Sequence, residues 1–294
     1  MGSRCGVIAA FAAAVLWAGG GSIHADDPPA NAGPTYRLAY QFMPNQVVHY
    51  NVQHEMEIVI QQNGQKQTSQ NKSQTRKHYQ VVAVEPEGAA DLELTLDRVH
   101  MTASVDDRQP EVFKSDDPAF HPAKYKSILN NIGKPQATIR FSPHGTPLKV
   151  LPVTPVAGGQ AAVNNAESSD ESYLTQLPDQ PVAVGETWKE RFQLPVLADK
   201  LTIKVDLQRV YRLEAVENNL ARITFKTVIL TPINDPEVRA RLIQRETEGT
   251  IVFDVNRGLI VSRDVTADQF VINAFGPKSQ MRAVSKYQER LSTP

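Results

Sequence analysis

The chain has 294 residues, a length that allows one large domain or two smaller ones. Its 31 lysines and arginines nearly balance 32 aspartates and glutamates, and a net charge of −1 argues against a protein that binds nucleic acid through a basic surface. A hydrophobic content of 41% argues against a chain that is disordered throughout. The single cysteine, Cys5, excludes an intrachain disulfide and a cysteine metal site.

Residues 1–25 have the pattern of a secretory signal peptide. Arg4 precedes an apolar run over residues 7–18, which is shorter than the about 20 residues that span a bilayer. Cleavage after Ala25 would leave a mature chain without cysteine and without an integral membrane span. We therefore expect an exported protein, periplasmic or extracellular, with a flexible leader over residues 26–35.

Alternation of apolar and polar residues predicts β-strands in most of the remaining chain. Every second residue from Val48 to Ile60 is mostly apolar, the pair Asn63-Gly64 is a strong hairpin signal, and residues 65–84 form the return strand. The alternation recurs at residues 92–97, 201–207 and 221–226. Because each strand has one apolar side, we expect antiparallel sheet.

Two short helices are predicted to begin at Asp-Pro pairs. Asp117-Pro118 precedes the first helix, which Gly133 ends, and Asp235-Pro236 begins the second, which stops by Gly249. The first helix carries one apolar stripe, made of Tyr125, Ile128, Leu129 and Ile132.

The two halves of the chain are predicted to be related. Residues 79–85 and 211–217 are identical at four of seven positions, and a strand and an Asp-Pro helix follow each of them. We predict a mainly β (β-rich α+β) fold of two tandem repeats, residues 36–153 and 182–294, separated by a linker over residues 154–181. Each repeat is an antiparallel meander, a short helix and a closing hairpin, and one or two curved sheets wrap over the helices.

No catalytic motif is found in the sequence. A nucleophile elbow, a phosphate-binding loop and a metalloprotease helix motif are all missing. The histidines of the mature chain lie in its first half without metal-binding spacing: His49, His54, His78, His100, His121 and His144. The sequence therefore predicts a non-enzymatic protein with no catalytic residue, no metal and no cofactor.

A ligand cavity is favoured by the ratio of strands to helices. About a dozen strands with one apolar face each would be covered by only two short helices, and widely curved sheets often leave a cavity. The predicted ligand-binding residues lie in the apolar row of the first strand: Tyr50, Val52, His54 and Met56.

Three segments carry a family resemblance: Pro44–Tyr50 (PNQVVHY), Leu177–Trp188 with its PVxVGETW end, and Gly249–Gly258 (GTIVFDxxxG). They resemble a group of exported bacterial proteins of unknown function, common in planctomycetes, although Asn45 stands where that family more often has glycine. The resemblance implies a secreted or periplasmic β-rich domain and transfers no catalytic residue. A looser, fold-level analogy is to periplasmic lipoprotein carriers, whose open curved sheets wrap helices around an apolar cavity.

Three functions compete on these observations. The first is an exported non-enzymatic envelope protein that binds an apolar ligand, such as a lipid or a lipid-linked partner, in a curved-sheet cavity. The second is a structural or protein-interaction module of the envelope, which the acidic stretch 168–171 favours. The third is a metal-binding or hydrolytic protein that uses His54, His78 or His100. The partners expected are a lipid or an envelope protein, and no nucleic acid.

Overall fold

A computed structural model describes residues 33–117, 123–151, 174–198 and 201–292. The predicted signal peptide, the leader up to residue 32, residues 154–173 of the linker, Pro118 and Pro122 lie outside this part. The strands are β1 (Thr35–Tyr36), β2 (Val47–Gln62), β3 (Gln65–Val84), β4 (Ala90–Val105), β5 (Glu111–Lys114), β6 (Pro135–Phe141), β7 (Pro147–Leu151), β8 (Val182–Ala183), β9 (Thr187–Ala198), β10 (Leu201–Glu217), β11 (Leu220–Ile229), β12 (Glu248–Asp254), β13 (Leu259–Ile272) and β14 (Gln280–Ser292). The helical segments are a 3-10 turn (Ala123–Tyr125), α1 (Lys126–Asn131) and α2 (Pro236–Arg241). The prediction of a mainly β fold with few short helices is confirmed.

Within the described ranges, twelve strands form one antiparallel sheet. The order along it is β7-β6-β4-β3-β2-β14-β13-β12-β11-β10-β9, and β5 pairs with β4. In the second half the order is three strands (β9–β11), a helix and two strands (β12, β13), and the first half has the same order with the short strand β5 added before its helix. The pairing of β2 with β14, from His49 opposite Ser292 to Gln61 opposite Gln280, joins the halves into one sheet.

The hairpin between β2 and β3 has the predicted turn. Asn63 and Gly64 both have positive φ, 52° and 78°, and Gln62 pairs with Gln65. Residues 69–84 of β3 also pair with β4 on the other side, so this part of the strand is not at an edge of the sheet.

One face of the sheet is apolar, and both helices pack on it. The apolar stripe of α1 packs against Val99 and Phe113, as predicted. In the second half, Val238 of α2 packs against Leu194 and Val205. The apolar side of α2 is therefore buried by the sheet, and that of α1 is half-buried by it.

The two helices begin differently. The Asp235 side chain accepts a hydrogen bond from the Glu237 amide (2.8 Å), which confirms the predicted cap of α2. The N-cap of α1 is Tyr125, without a side-chain hydrogen bond, and residues 118–122, which follow the predicted cap Asp117, lie outside the described residues. No helix in the described segments has the length and hydropathy needed to cross a membrane.

Candidate ligand-binding site on the apolar face

Two irregular segments lie against the apolar face, the N-terminal strap (residues 37–46) and the central strap (residues 174–181). Leu38 and Leu177 are 0% and 1% exposed and belong to the main core cluster. The Tyr40 hydroxyl donates to the carbonyl of Thr175 (3.0 Å) and accepts from its amide (3.0 Å). Pairing of β1 with β8 also ties the straps together, so both help to cover the sheet.

Three charged side chains, which we call the ion cluster, are buried on the same face. They are Lys77 of β3, Arg263 of β13 and Glu289 of β14, with 5%, 6% and 2% exposure. Lys77 Nζ lies 2.8 Å from Glu289 Oε1, and Arg263 Nε lies 3.5 Å from Glu289 Oε2. One carboxylate is therefore shared between two cations from different strands.

Strand alternation places these charges inside. Lys77 lies in the same row of β3 as the buried Tyr79 and Val81, and Glu289 lies in the row of the buried Tyr287. The charges thus occupy positions at which the pattern of the strand calls for an apolar residue.

The ion cluster stays ionised because its members stabilise each other. Burial alone would lower the pKa of the Lys77 ammonium, but the negative charge of Glu289 holds that pKa well above its ordinary value. Burial alone would raise the pKa of Glu289, but Lys77 and Arg263 hold it below the ordinary value. These opposed pKa shifts keep the cluster charged at neutral pH.

Four buried tyrosines surround the ion cluster: Tyr40, Tyr50, Tyr79 and Tyr287. Burial raises the pKa of all four phenols, so they stay neutral and act as hydrogen-bonding groups. Tyr50 donates to the carbonyl of Ile260 (3.0 Å), and Tyr79 accepts from Lys77 Nζ (3.4 Å).

A second group of charges lies on β9 and β10 at the same face. Arg209 donates from Nε to the hydroxyl of Thr227 (2.9 Å), and its guanidinium lies 3.7 Å from Glu190. The guanidinium is also 5.0 Å from the ring centroid of Phe225, close enough for a cation–π contact. Tyr211 donates to Glu190 (2.7 Å) and completes the group.

Two small clefts open at the straps. The first has a volume of about 30 Å³ and is lined by Tyr40, Gln41, Phe42, Gln46, Val48, Tyr50, Tyr79, Val81, Leu92, Leu174, Gly258 and Leu259. The second has a volume of about 10 Å³ and is lined by Thr175, Arg209, Tyr211, Phe225, Thr247, Ile251, Arg263 and Val265. The first is mostly apolar, whereas the half-buried Arg209 and the buried Arg263 both line the second.

The predicted ligand-binding residues share one row of β2. Tyr50 and Val52 are buried, and Tyr50 lines the apolar cleft. His54 is half-buried with its ring 6.2 Å from that of Tyr287, and Met56 is half-buried opposite Ser285. Of these four residues, Tyr50 lies at a cleft.

Sequence reasoning missed the charged residues of this face. Lys77 lies in the predicted return strand over residues 65–84, but neither it nor Arg263 or Glu289 was among the predicted site residues. A charged residue in the buried row of an alternating strand would have indicated them. It can be recognised once it is known which row of the strand is buried.

The histidines lie in several places. His100 pairs with Asp116 through Nε2 (2.6 Å), His144 lies 3.6 Å from Asp179, and His121 is outside the described residues. His49 and His78 lie in the rows opposite to those of Tyr50 and Lys77, so they belong to the other face of the sheet.

Comparison with protein families gives one match. Residues 164–260 match a family described as "Family of unknown function (DUF6263)". Two of the three segments that carried the expected resemblance overlap this range, and the similarity to a family of unknown function is confirmed there. No curated protein sequence matches the chain.

The solved structures that are similar to the chain at low identity include the following three. A structure described as "Lipid-protein interactions in lipovitellin" has 13% identity and a TM-score of 0.48, over 86% of this chain and 25% of that chain. DynF from the dynemicin biosynthesis pathway of Micromonospora chersina has 6% identity and a TM-score of 0.23, over 89% and 87%. A DUF1329 family protein from Desulfovibrio piger has 10% identity and a TM-score of 0.14, over 83% and 84%. The chain spans a quarter of the lipovitellin chain, and these similarities carry no inference about function.

Proposed function

We propose that the protein is an exported, non-enzymatic binding protein for an amphiphile, a molecule with an apolar chain and an acidic group. The observation that carries the proposal is the cleft that Arg209 and Arg263 both line, beside the ion cluster on the apolar face. The two side chains are only 11% and 7% exposed.

The charge of the site favours an acidic ligand. The ion cluster and the second group together hold three cations and two carboxylates. A buried charge is costly unless an opposite charge balances it, and a guanidinium binds a carboxylate or phosphate through two parallel hydrogen bonds. An acidic group at the cleft would balance the remaining positive charge.

The apolar cleft, which lies beside the arginine cleft, would take the apolar part of the ligand. Leu174 lines the apolar cleft, and the next residue, Thr175, lines the arginine cleft. Tyr50 reaches the apolar cleft from the sheet and Phe42 reaches it from the N-terminal strap. Adjacent apolar and cationic clefts match the two parts of an amphiphile.

Release of the central strap is part of the proposal, because each cleft holds about one water molecule as it stands. The strap is fastened by the Tyr40–Thr175 hydrogen bonds, by Leu177 N donating to His144 O (2.8 Å) and by Trp188 Nε1 donating to Gln176 O (3.0 Å). Leu177 is also buried against the sheet. A ligand therefore has to replace these contacts, and we expect slow association.

The pKa shifts support a non-enzymatic role. Acid–base catalysis needs a group whose pKa lies near the working pH. The pKa values of Lys77 and the four tyrosines are raised and that of Glu289 is lowered, so all of them move away from neutrality. The cluster is suited to holding charge rather than to transferring a proton.

Binding of dodecanoate and dodecanol to the full chain tests the proposal, since the two differ in the acidic group alone. A charge-assisted hydrogen bond contributes about 1.5–3 kcal/mol, so calorimetry should give about ten- to hundred-fold tighter binding of the acid. Arg263→Gln should abolish this preference, and Arg282→Gln, which alters an exposed pair with Asp268, should keep it. Equal binding of both ligands by a folded protein contradicts the acidic group, and binding of neither contradicts the site.

Export is supported by the apolar run of residues 7–18. In the native host, we expect the protein outside the cytoplasm with Asp26 as its first residue, which the intact mass of the purified protein measures. A cytoplasmic protein that retains residues 1–25 would contradict export without affecting the ligand proposal.

A further inference from the structure

Three strands bring His49, His78 and Asp97 together on the face opposite the ion cluster. His49 of β2 and His78 of β3 are paired residues, with ring centroids 5.1 Å apart. His78 Nδ1 lies 2.7 Å from Asp97 Oδ1, and His49 Nδ1 lies 3.5 Å from Asp97 Oδ2. One ligand atom of each residue lies within 4.8 Å of the others.

A β-bulge in β4 places Asp97 at this position. Arg76 pairs with Arg98 and Lys77 pairs with Leu96, so Asp97 is the extra residue. The sequence carries the signal, because the apolar row changes from even positions (Leu92, Leu94, Leu96) to odd positions (Val99, Met101) across Asp97. Bulges redirect a side chain and are frequent beside functional sites.

Two polar atoms of the trio have no hydrogen-bond partner in the described part of the chain. They are His49 Nδ1 and Asp97 Oδ2, and both are buried. Buried polar atoms normally have partners, so these two need an explanation. They lie 3.5 Å apart, and two zinc ligands at about 2.0–2.1 Å in tetrahedral geometry are about 3.3 Å apart.

We propose that His49, His78 and Asp97 bind a divalent transition-metal ion, with zinc as the ion that fits best. Two imidazoles and one carboxylate form a donor set that zinc accepts, and three protein ligands leave a fourth position for water. The side chains of the trio are 19–25% exposed, so the site lies close to the surface although His49 Nδ1 and Asp97 Oδ2 are themselves buried. The site is separate from the amphiphile site, because it lies on the other face of the sheet.

Metal titration of the full chain, without an affinity tag and after dialysis against a chelator, tests this proposal. Competition with a chelating dye should show one Zn²⁺ bound per chain, and Co²⁺ should give the visible absorption of a tetrahedral complex. Loss of a residue that only orients a ligand weakens metal binding about 10–100-fold, so His49→Ala, His78→Ala and Asp97→Ala should each weaken it at least as much. His78→Cys should keep the metal and add a thiolate charge-transfer band to the Co²⁺ spectrum.

Two matched variants control for weak binding by other histidines. His100→Ala removes a histidine that also pairs with an aspartate, and His54→Ala removes one from the other face; both should bind Zn²⁺ like the wild type. Urea unfolding of each variant separates loss of a ligand from loss of the fold. Zinc binding that survives both His49→Ala and His78→Ala, or no stoichiometric binding by the folded wild type, would overturn the proposal.

Discussion

Glu289 is the residue on which the ion cluster depends, because it is the shared partner of Lys77 and Arg263. Glu289→Gln leaves two buried cations without that carboxylate, and breaking a buried ion pair costs about 3–5 kcal/mol. Asp268→Asn breaks an exposed pair with Arg282, and such pairs contribute about 0–1 kcal/mol. Unfolding in urea measures the change in free energy for both variants. Equal losses of stability would show that the ion cluster does not depend on Glu289.

The same cluster predicts how stability depends on pH. The pKa of Glu289 is lower in the folded than in the unfolded chain, so its contribution is present above the unfolded value of about 4.3 and is lost as the pH falls through the folded pKa. The pKa of Lys77 is raised, so its contribution is present below about 10.4 and is lost as the pH rises through its folded value.

Urea unfolding at a series of pH values checks this expectation. The difference in unfolding free energy between the wild type and Glu289→Gln should be constant from about pH 6 to 9 and should shrink below about pH 4. A difference that persists unchanged in acid would mean that Glu289 titrates as it does in the unfolded chain.

At the scale of elements, the turn between β6 and β7 fastens the central strap. Gly145 has a φ of +80°, and a Cβ atom there would clash with the carbonyl oxygen of Thr175. Gly64 has a φ of +78° but nothing within 4 Å of such an atom. Gly64→Ala should therefore show the backbone cost alone, about 1 kcal/mol, and Gly145→Ala should cost about 1–3 kcal/mol more because the strap has to shift.

Unfolding in urea measures the stability of both glycine variants, and the rate of proteolysis measures how firmly the central strap is held. Faster cleavage in the central strap is expected for Gly145→Ala and not for Gly64→Ala. If the two variants were equally stable and equally resistant, the contact of the turn with the strap would have no energetic role.

Individual strands, the Asn63-Gly64 hairpin and the cap of α2 were predictable because each depends on neighbours in sequence. The pairing of β2 with β14 was not predictable, since no turn joins these strands and alternation alone fits many partners. The ion cluster depends on that pairing, because Glu289 reaches Lys77 across β2. The metal trio was missed because His49 and His78 are 29 positions apart and become neighbours only through the register of a hairpin.

At the scale of the whole molecule, both halves share one sheet, and the ion cluster links them near its centre. The ion cluster takes Lys77 from the first half and Arg263 and Glu289 from the second. The straps add a further link, because Tyr40 bonds to Thr175 and β1 pairs with β8. We therefore expect the halves to unfold together in one cooperative transition.

A core variant in the first half tests this cooperativity when unfolding is followed by a fluorescent probe in the second half. Ile139 is 4% exposed in the core cluster of the first half, and Trp188 lies in β9 of the second half, stacked on Tyr211. In a Trp17→Phe background, where Trp188 is the remaining tryptophan, Ile139→Ala should cost about 2–5 kcal/mol. It should shift the midpoint of Trp188 fluorescence and that of far-UV circular dichroism by the same amount. A fluorescence midpoint that stays in place while the dichroism becomes biphasic would show that the halves unfold independently, in spite of the shared sheet.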